Sequence, residues 1–363
     1  MAQTAASQLG LHRPEVIQDF SRNKWKLNPS GIQEAVRTWS VCYIAAKSIS
    51  LAVGQPLTVP FDWTIDRVCD AKSPYSMPDD LRHQVIIYRF AARVSTAMSG
   101  NRQSPTGLPA PGEGTSLLVL LEQDYNGLAR EMEQKLSPVN RILLDGVGLE
   151  LRTFYFLDIC SLEIRRAGLL RAYNTSEALI SKVREADKAT NLMKYSPAAF
   201  YRLTILSALV MLKVINSSYS NLVDIESGKR TFNSALSLIR HSSVEDNDLP
   251  GRSSKILAQL WSIQSQRYRR PEEEPRISLT TRSSASILHD SLWLWRERFG
   301  SQDCGINTPT GTSAQRWETN DPQLVDENND VDPGMNMDWI WDLGMPGLVS
   351  WEFESNPGYF PLS

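Results

Sequence analysis

The chain has few of the residues that carry metal or redox chemistry. Its four cysteines, Cys42, Cys69, Cys160 and Cys304, include no CxxC pair, so neither a zinc cluster nor a redox dithiol can be built from local sequence. They read as reduced, intracellular thiols. The four histidines, His12, His83, His241 and His289, share no metal-ligand spacing. No GxSxG elbow, phosphate-cradling loop or GxGxxG after a strand is present, and the pair Gly146 and Gly148 sits in a helical stretch with no strand before it. No segment alternates apolar and polar residues long enough for a strand, so the expected fold class is all-α, a helical array. The N-terminus lacks the basic start and apolar core of a secretory signal. Arg202 and Lys213 interrupt the most apolar run before it reaches the roughly 18 uncharged residues of a membrane span. No membrane is therefore expected as a partner. No basic run marks an import signal either, because Arg267, Arg269 and Arg270 form too small a cluster.

What is present is helical periodicity. Hydrophobic residues make up 41% and charged residues 22% of 363, which suits a large globular core. The organising stretch runs from Lys194 to Trp261. A helix is expected to enter at Ser196 and Pro197, with Phe200, Leu203, Leu206, Leu209, Val210 and Ile215 on its buried face. A second helix spans about 229–241, and a third, begun near Pro250, carries Ile256, Leu257, Leu260 and Trp261.

Upstream, Ser30 and Gln33 have the spacing of a capping box and predict a helix bearing Ile32, Val36, Trp39 and Tyr43. Residues 55–63 hold two prolines and read as an extended connector. Another helix spans 77–99, with Asp79 and Asp80 at its positive end. Residues 100–116, rich in Gly, Pro, Ser and Thr, predict a flexible, exposed loop before helical periodicity resumes at Ser116. Residues 141–170 are apolar nearly all round and predict one long buried helix. The resulting organisation is a polar segment 1–29, an all-helical region 30–299 with a linker at about 270–282, and a tail 300–363.

Three strings carry a resemblance: "VEDNDLPGRSSKIL" before "AQLW", "VGQP" at 53–56, and "MPDDLRHQVIIYRFAARVS" at 77–95. In this order of elements, roughly residues 27–299 resemble the C-terminal part of the regulatory region of fungal binuclear zinc-cluster transcription factors, the subgroup that includes regulators of leucine synthesis and weak-acid response. The family's six-cysteine DNA-binding head has no counterpart in the sequence. Any zinc would belong to that missing cluster, and no cofactor is expected in this chain. The resemblance implies a pathway-specific regulator in the nucleus, an activator of genes such as a secondary-metabolite cluster, whose helical region answers to metabolites or restrains the activator. DNA contact would come either through a head lost from the gene model or indirectly, through a full-length DNA-binding relative. A homo- or heterodimer is among the assemblies considered.

The rival is an all-α terpene-cyclase-like enzyme. Asp79 and Asp80 begin a magnesium-binding motif, but its third position is His83. Asn247 and Asp248 begin a second motif, with Gly251 and Lys255 where oxygen ligands are needed. Helix capping and loop hydrogen bonds explain both sites, and the expectation is no enzyme.

The tail has its own character. From Trp317 to Ser363 there are ten acidic residues and no Lys or Arg, which leaves a body of +7 over residues 1–316. After Gly300, Asn, Asp, Thr, Gly and Pro dominate, and disorder is expected. Within it Trp339, Ile340, Trp341 and Leu343 are interleaved with Asp338 and Asp342, and Trp351 and Phe353 make a weaker copy. Self-repulsion among the carboxylates keeps such rings available, and a short helix would place Trp339, Ile340 and Leu343 on one side for a partner's groove. These eight residues are the candidate partner-binding site. The composition looks like an activation segment that contacts transcription coactivators. The alternatives are a latch onto the positive body, an inert extension, or a headless co-regulator that acts through a DNA-binding partner.

Overall fold

The computed structural model describes residues 2–20, 27–55, 62–157, 159–245, 248–267 and 274–299. The described residues are helical, with no strand among them. The chain order is α1 (Ala2–Gln8), a 3-10 stretch at Pro14–Phe20, α2 (Pro29–Val53), α3 (Trp63–Cys69), α4 (Asp79–Ser99), α5 (Pro111–Met132) and α6 (Pro138–Thr153). There follow α7 (Leu162–Thr190), α8 (Leu192–Tyr195), α9 (Ala198–Ile215), α10 (Ile225–His241), α11 (Leu249–Arg267) and α12 (Ser286–Phe299).

At the centre lies α9, packed on α7, α10, α12, α6 and α11. Among the described residues it is the one helix long and apolar enough to cross a membrane, and 94% of it is buried inside the fold, as a core helix of this length is. Its two charges are paired: Arg202 with Glu150 of α6, and Lys213 with Asp290 of α12 at 2.8 Å. Around it the helices of the organising stretch form as expected, with shifted starts. Pro197, whose ring forces Ser196 into extended backbone, precedes α9, and no side chain caps that helix. Asp224 caps α10 by accepting from Ser227 N at 3.0 Å, four residues earlier than expected.

Several boundaries differ for local reasons. Asn28, not Ser30, caps α2 by accepting from Gly31 N at 2.7 Å, because Pro29 behind it supplies the fixed φ of the first helical turn. Gln33 instead accepts from Ser76 N at 2.7 Å. Residues 2–20, within the polar segment expected at 1–29, join the fold: Ala6 and Ile17 are buried, and the His12 ring meets Phe20 and Trp39 at 4.9 and 5.7 Å. The loop expected at 100–116 ends sooner, since α5 opens at Pro111. What remains is a hydrogen-bonded turn in which Asn101 Nδ2 donates to Leu108 O at 2.9 Å and Leu108 is buried.

The largest correction concerns 141–170. Pro138 starts α6 with Ser137 as its cap, and the helix ends at Thr153 in a 3-10 turn, Phe154–Phe156, before α7 begins at Leu162. The turn is buried, so the carbonyls freed there need donors. Arg165 supplies them: Nε donates to Tyr155 O at 3.0 Å, and Nη2 donates to Phe156 O at 3.4 Å and to Pro275 O at 3.0 Å.

The "VGQP" string has a structural reason in Gly54. It ends α2 at φ +66°, and a Cβ there would lie 2.0 Å from the carbonyl oxygen of Arg282. Only glycine permits both the left-handed turn and that approach. Of the connector expected at 55–63, residues 56–61 lie outside the described residues, while Trp63 opens α3, capped by Asp62, which accepts from Ile65 N at 2.9 Å. The first part of the 270–282 linker also lies outside the described residues.

Candidate functional site

The predicted partner-binding residues, Asp338, Trp339, Ile340, Trp341, Asp342, Leu343, Trp351 and Phe353, lie outside the described residues. The structure does define the platform from which residue 300 departs. Helix α12 is fixed by Asp290, whose Oδ2 accepts from Lys213 Nζ at 2.8 Å and whose Oδ1 accepts from the amides of Ser278 and Leu279 at 2.7 and 3.1 Å. Trp295 Nε1 donates to Gln259 of α11 at 2.7 Å, and its ring lies 6.1 Å from that of Phe299. A small apolar recess between α9, α11 and α12 is lined by Ile205, Leu209, Leu257, Leu260 and Leu288. Ahead of α12, residues 282–286 lie across the ends of α2, α4 and α6. Arg282 Nη1 donates to Val53 O at 3.3 Å, and Ser99 Oγ donates to Ser283 Oγ at 2.8 Å.

In this platform His289 is held neutral. Burial, reinforced by the positive charge of Arg282, lowers its pKa to about 4 from 6.5. The folded state thus binds a proton more weakly than the unfolded chain, so the contribution of His289 to stability is complete above pH 6.5 and declines as pH falls from 6.5 towards 4. A difference of about 2–3 kcal/mol between pH 7.5 and 4.5 is expected, and His289→Gln should remove it. Urea midpoints of both proteins across that range measure it.

Two carboxylates of the rival cyclase motifs, Asp80 and Asp248, are hydrogen-bonded within the fold. Asp80 Oδ1 accepts from Asn140 Nδ2 at 2.9 Å. Asp248 accepts from Gly251 N at 2.8 Å, Val244 N at 2.7 Å and Ser243 Oγ at 2.7 Å. Its partial burial acts to raise its pKa, but these hydrogen bonds outweigh that and lower it. The "VEDNDLPGR" string thus includes the cap of α11; Asn247 lies outside the described residues. Among the described residues no group of three His, Cys, Asp or Glu side chains could hold a metal ion.

One surface feature was not legible in sequence. Lys194, Tyr195, His241 and Val244 line an open recess at the end of α10, with Tyr195 73% and Val244 77% exposed. The Lys194 ammonium beside exposed apolar groups suits an acidic segment that carries apolar side chains.

Comparison with known proteins finds several relatives named as regulators or transcription factors, of which three follow. The chain is 26% identical over 335 residues to Regulatory protein LEU3 of Saccharomyces cerevisiae, covering 81% of this chain and 38% of that protein. It is 24% identical over 265 residues to Putative transcription factor SEF1 of Eremothecium gossypii, covering 72% and 25%. It is 23% identical over 311 residues to Transcriptional regulatory protein SEF1 of Candida albicans, covering 82% and 33%. The chain thus spans between 25% and 38% of the length of these relatives. No protein-family model and no solved structure matches it.

Proposed function

We propose that this chain is the helical regulatory region and activation segment of a fungal transcription regulator of the binuclear zinc-cluster type. The observation that carries the reading is its similarity to three proteins named as regulators or transcription factors, over 72–82% of its own length. None of the three is named as an enzyme. The all-helical body is the support on which α12 is anchored, and residues 300–363 leave from the end of that helix. Their acidic and aromatic residues are the part that grips coactivators, in the nucleus. Sequence-specific DNA contact comes from residues beyond these, either a six-cysteine head or a DNA-binding partner. The helical region answers to a metabolite or restrains the segment that follows it.

The test fuses residues 300–363 to an unrelated DNA-binding module upstream of a reporter. Expression well above that of the module alone is expected, and Trp339→Ala with Trp341→Ala should abolish most of it. Silence from the intact fusion removes the activator reading. A second reading, in which the tail latches onto its own body, draws support from the recess where Lys194 lies beside the exposed Tyr195 and Val244. It predicts that adding residues 2–299 to the fusion lowers the reporter.

A further inference from the structure

Beneath the 282–286 segment is a void enclosed by α2, α4 and α6. Its polar walls are Glu150 of α6, Ser95 of α4, and Ser283 and Ser284 of the segment; Val94 and Val147 are among its apolar walls. Glu150 is 2% exposed. Its Oε1 accepts from Arg202, but its Oε2 has no donor among the described residues. A buried carboxylate oxygen without a donor is costly, and native folds supply one. Ser283, which receives the Ser99 hydroxyl, sits at φ +50°, a conformation that residues other than glycine rarely adopt. Ser283 is thus held among the residues that line the void, and the proton of its hydroxyl remains available for a further acceptor.

Size and charge select the occupant. The space for the centre of a water molecule is ≈ 10 Å³, which admits about one water. Arg202 already neutralises Glu150, so the site calls for no cation, and an anion would face the carboxylate. An apolar occupant would leave Oε2 unpaired. We propose that this void is a binding site for a single long-lived water molecule, which donates to Glu150 Oε2 and joins α6 to the serine hydroxyls of the 282–286 segment. The contact between that segment and the helices below it is then partly made through water.

The test uses the full chain, deuterated and methyl-labelled at Val, Leu and Ile, and reads nuclear Overhauser transfer between water and the methyl groups. Cross-peaks from Val94 and Val147, with the sign of slowly exchanging water, are expected. Ser95→Val fills the void with methyl groups and should lose those cross-peaks while the circular dichroism stays helical. Absence of water cross-peaks from both valines in the wild-type chain overturns the proposal, whether or not the variant folds. So does dependence of the signals on added sodium or ammonium, which would assign the site to a cation.

Discussion

Asp290→Ala is expected to lower the unfolding free energy by about 3–5 kcal/mol, because it strands the Lys213 ammonium in the interior. That side chain is only 8% exposed, so water cannot replace the lost carboxylate. The same change takes the acceptor from the amides of Ser278 and Leu279. Lys213→Met should cost less, since Asp290 keeps both amide donors and the thioether chain fills the space of the lysine stem. Asp290→Leu combined with Lys213→Met should recover part of the Asp290→Ala loss, because no charge then remains buried. Guanidinium denaturation of the four proteins at pH 7 measures the series. Equal losses for Asp290→Ala and Lys213→Met would show that the pair has no such asymmetry.

Arg165→Ala should be comparably severe, at about 3–5 kcal/mol, for a different reason. Its side chain is 3% exposed, and besides the three carbonyls it pairs with Glu274 at 3.2 Å. Alanine would leave three main-chain acceptors and a half-buried carboxylate without their donor. Arg165→Lys should retain little of the benefit, because an ammonium is a compact charge and cannot span acceptors on both sides of the turn as the planar fork does. Denaturant midpoints test the size of the effect. Limited proteolysis between 274 and 282 tests its place, with faster cleavage expected in both variants.

These two sites also show where sequence reading stopped. The periodicity of 198–215 and of the two helices after it was legible, because each keeps a continuous apolar stripe and α9 could only be a core helix. Starts were less legible, because caps compete: Asn28 with Pro29 outranks Ser30, and Pro197 takes the position assigned to Ser196. The break after Thr153 was invisible, since a buried turn is as apolar as a buried helix. What permits it is Arg165, and the role of Arg165 depends partly on Pro275, 110 residues further along the chain. The recess around Tyr195 and Val244 likewise arises only when Asn191 turns left-handed and α10 ends beside it. For the candidate binding site, composition alone supplies the argument, as its residues lie outside those described.

The meeting of Gly54 with Arg282 joins positions more than 200 residues apart. Closure over so long an intervening chain is entropically slow, and it must follow the local pairing of neighbouring helices. During synthesis, the amino-terminal helices would therefore emerge from the ribosome and wait with the end of α2 uncovered. They acquire their final lid only after residue 282 has been made.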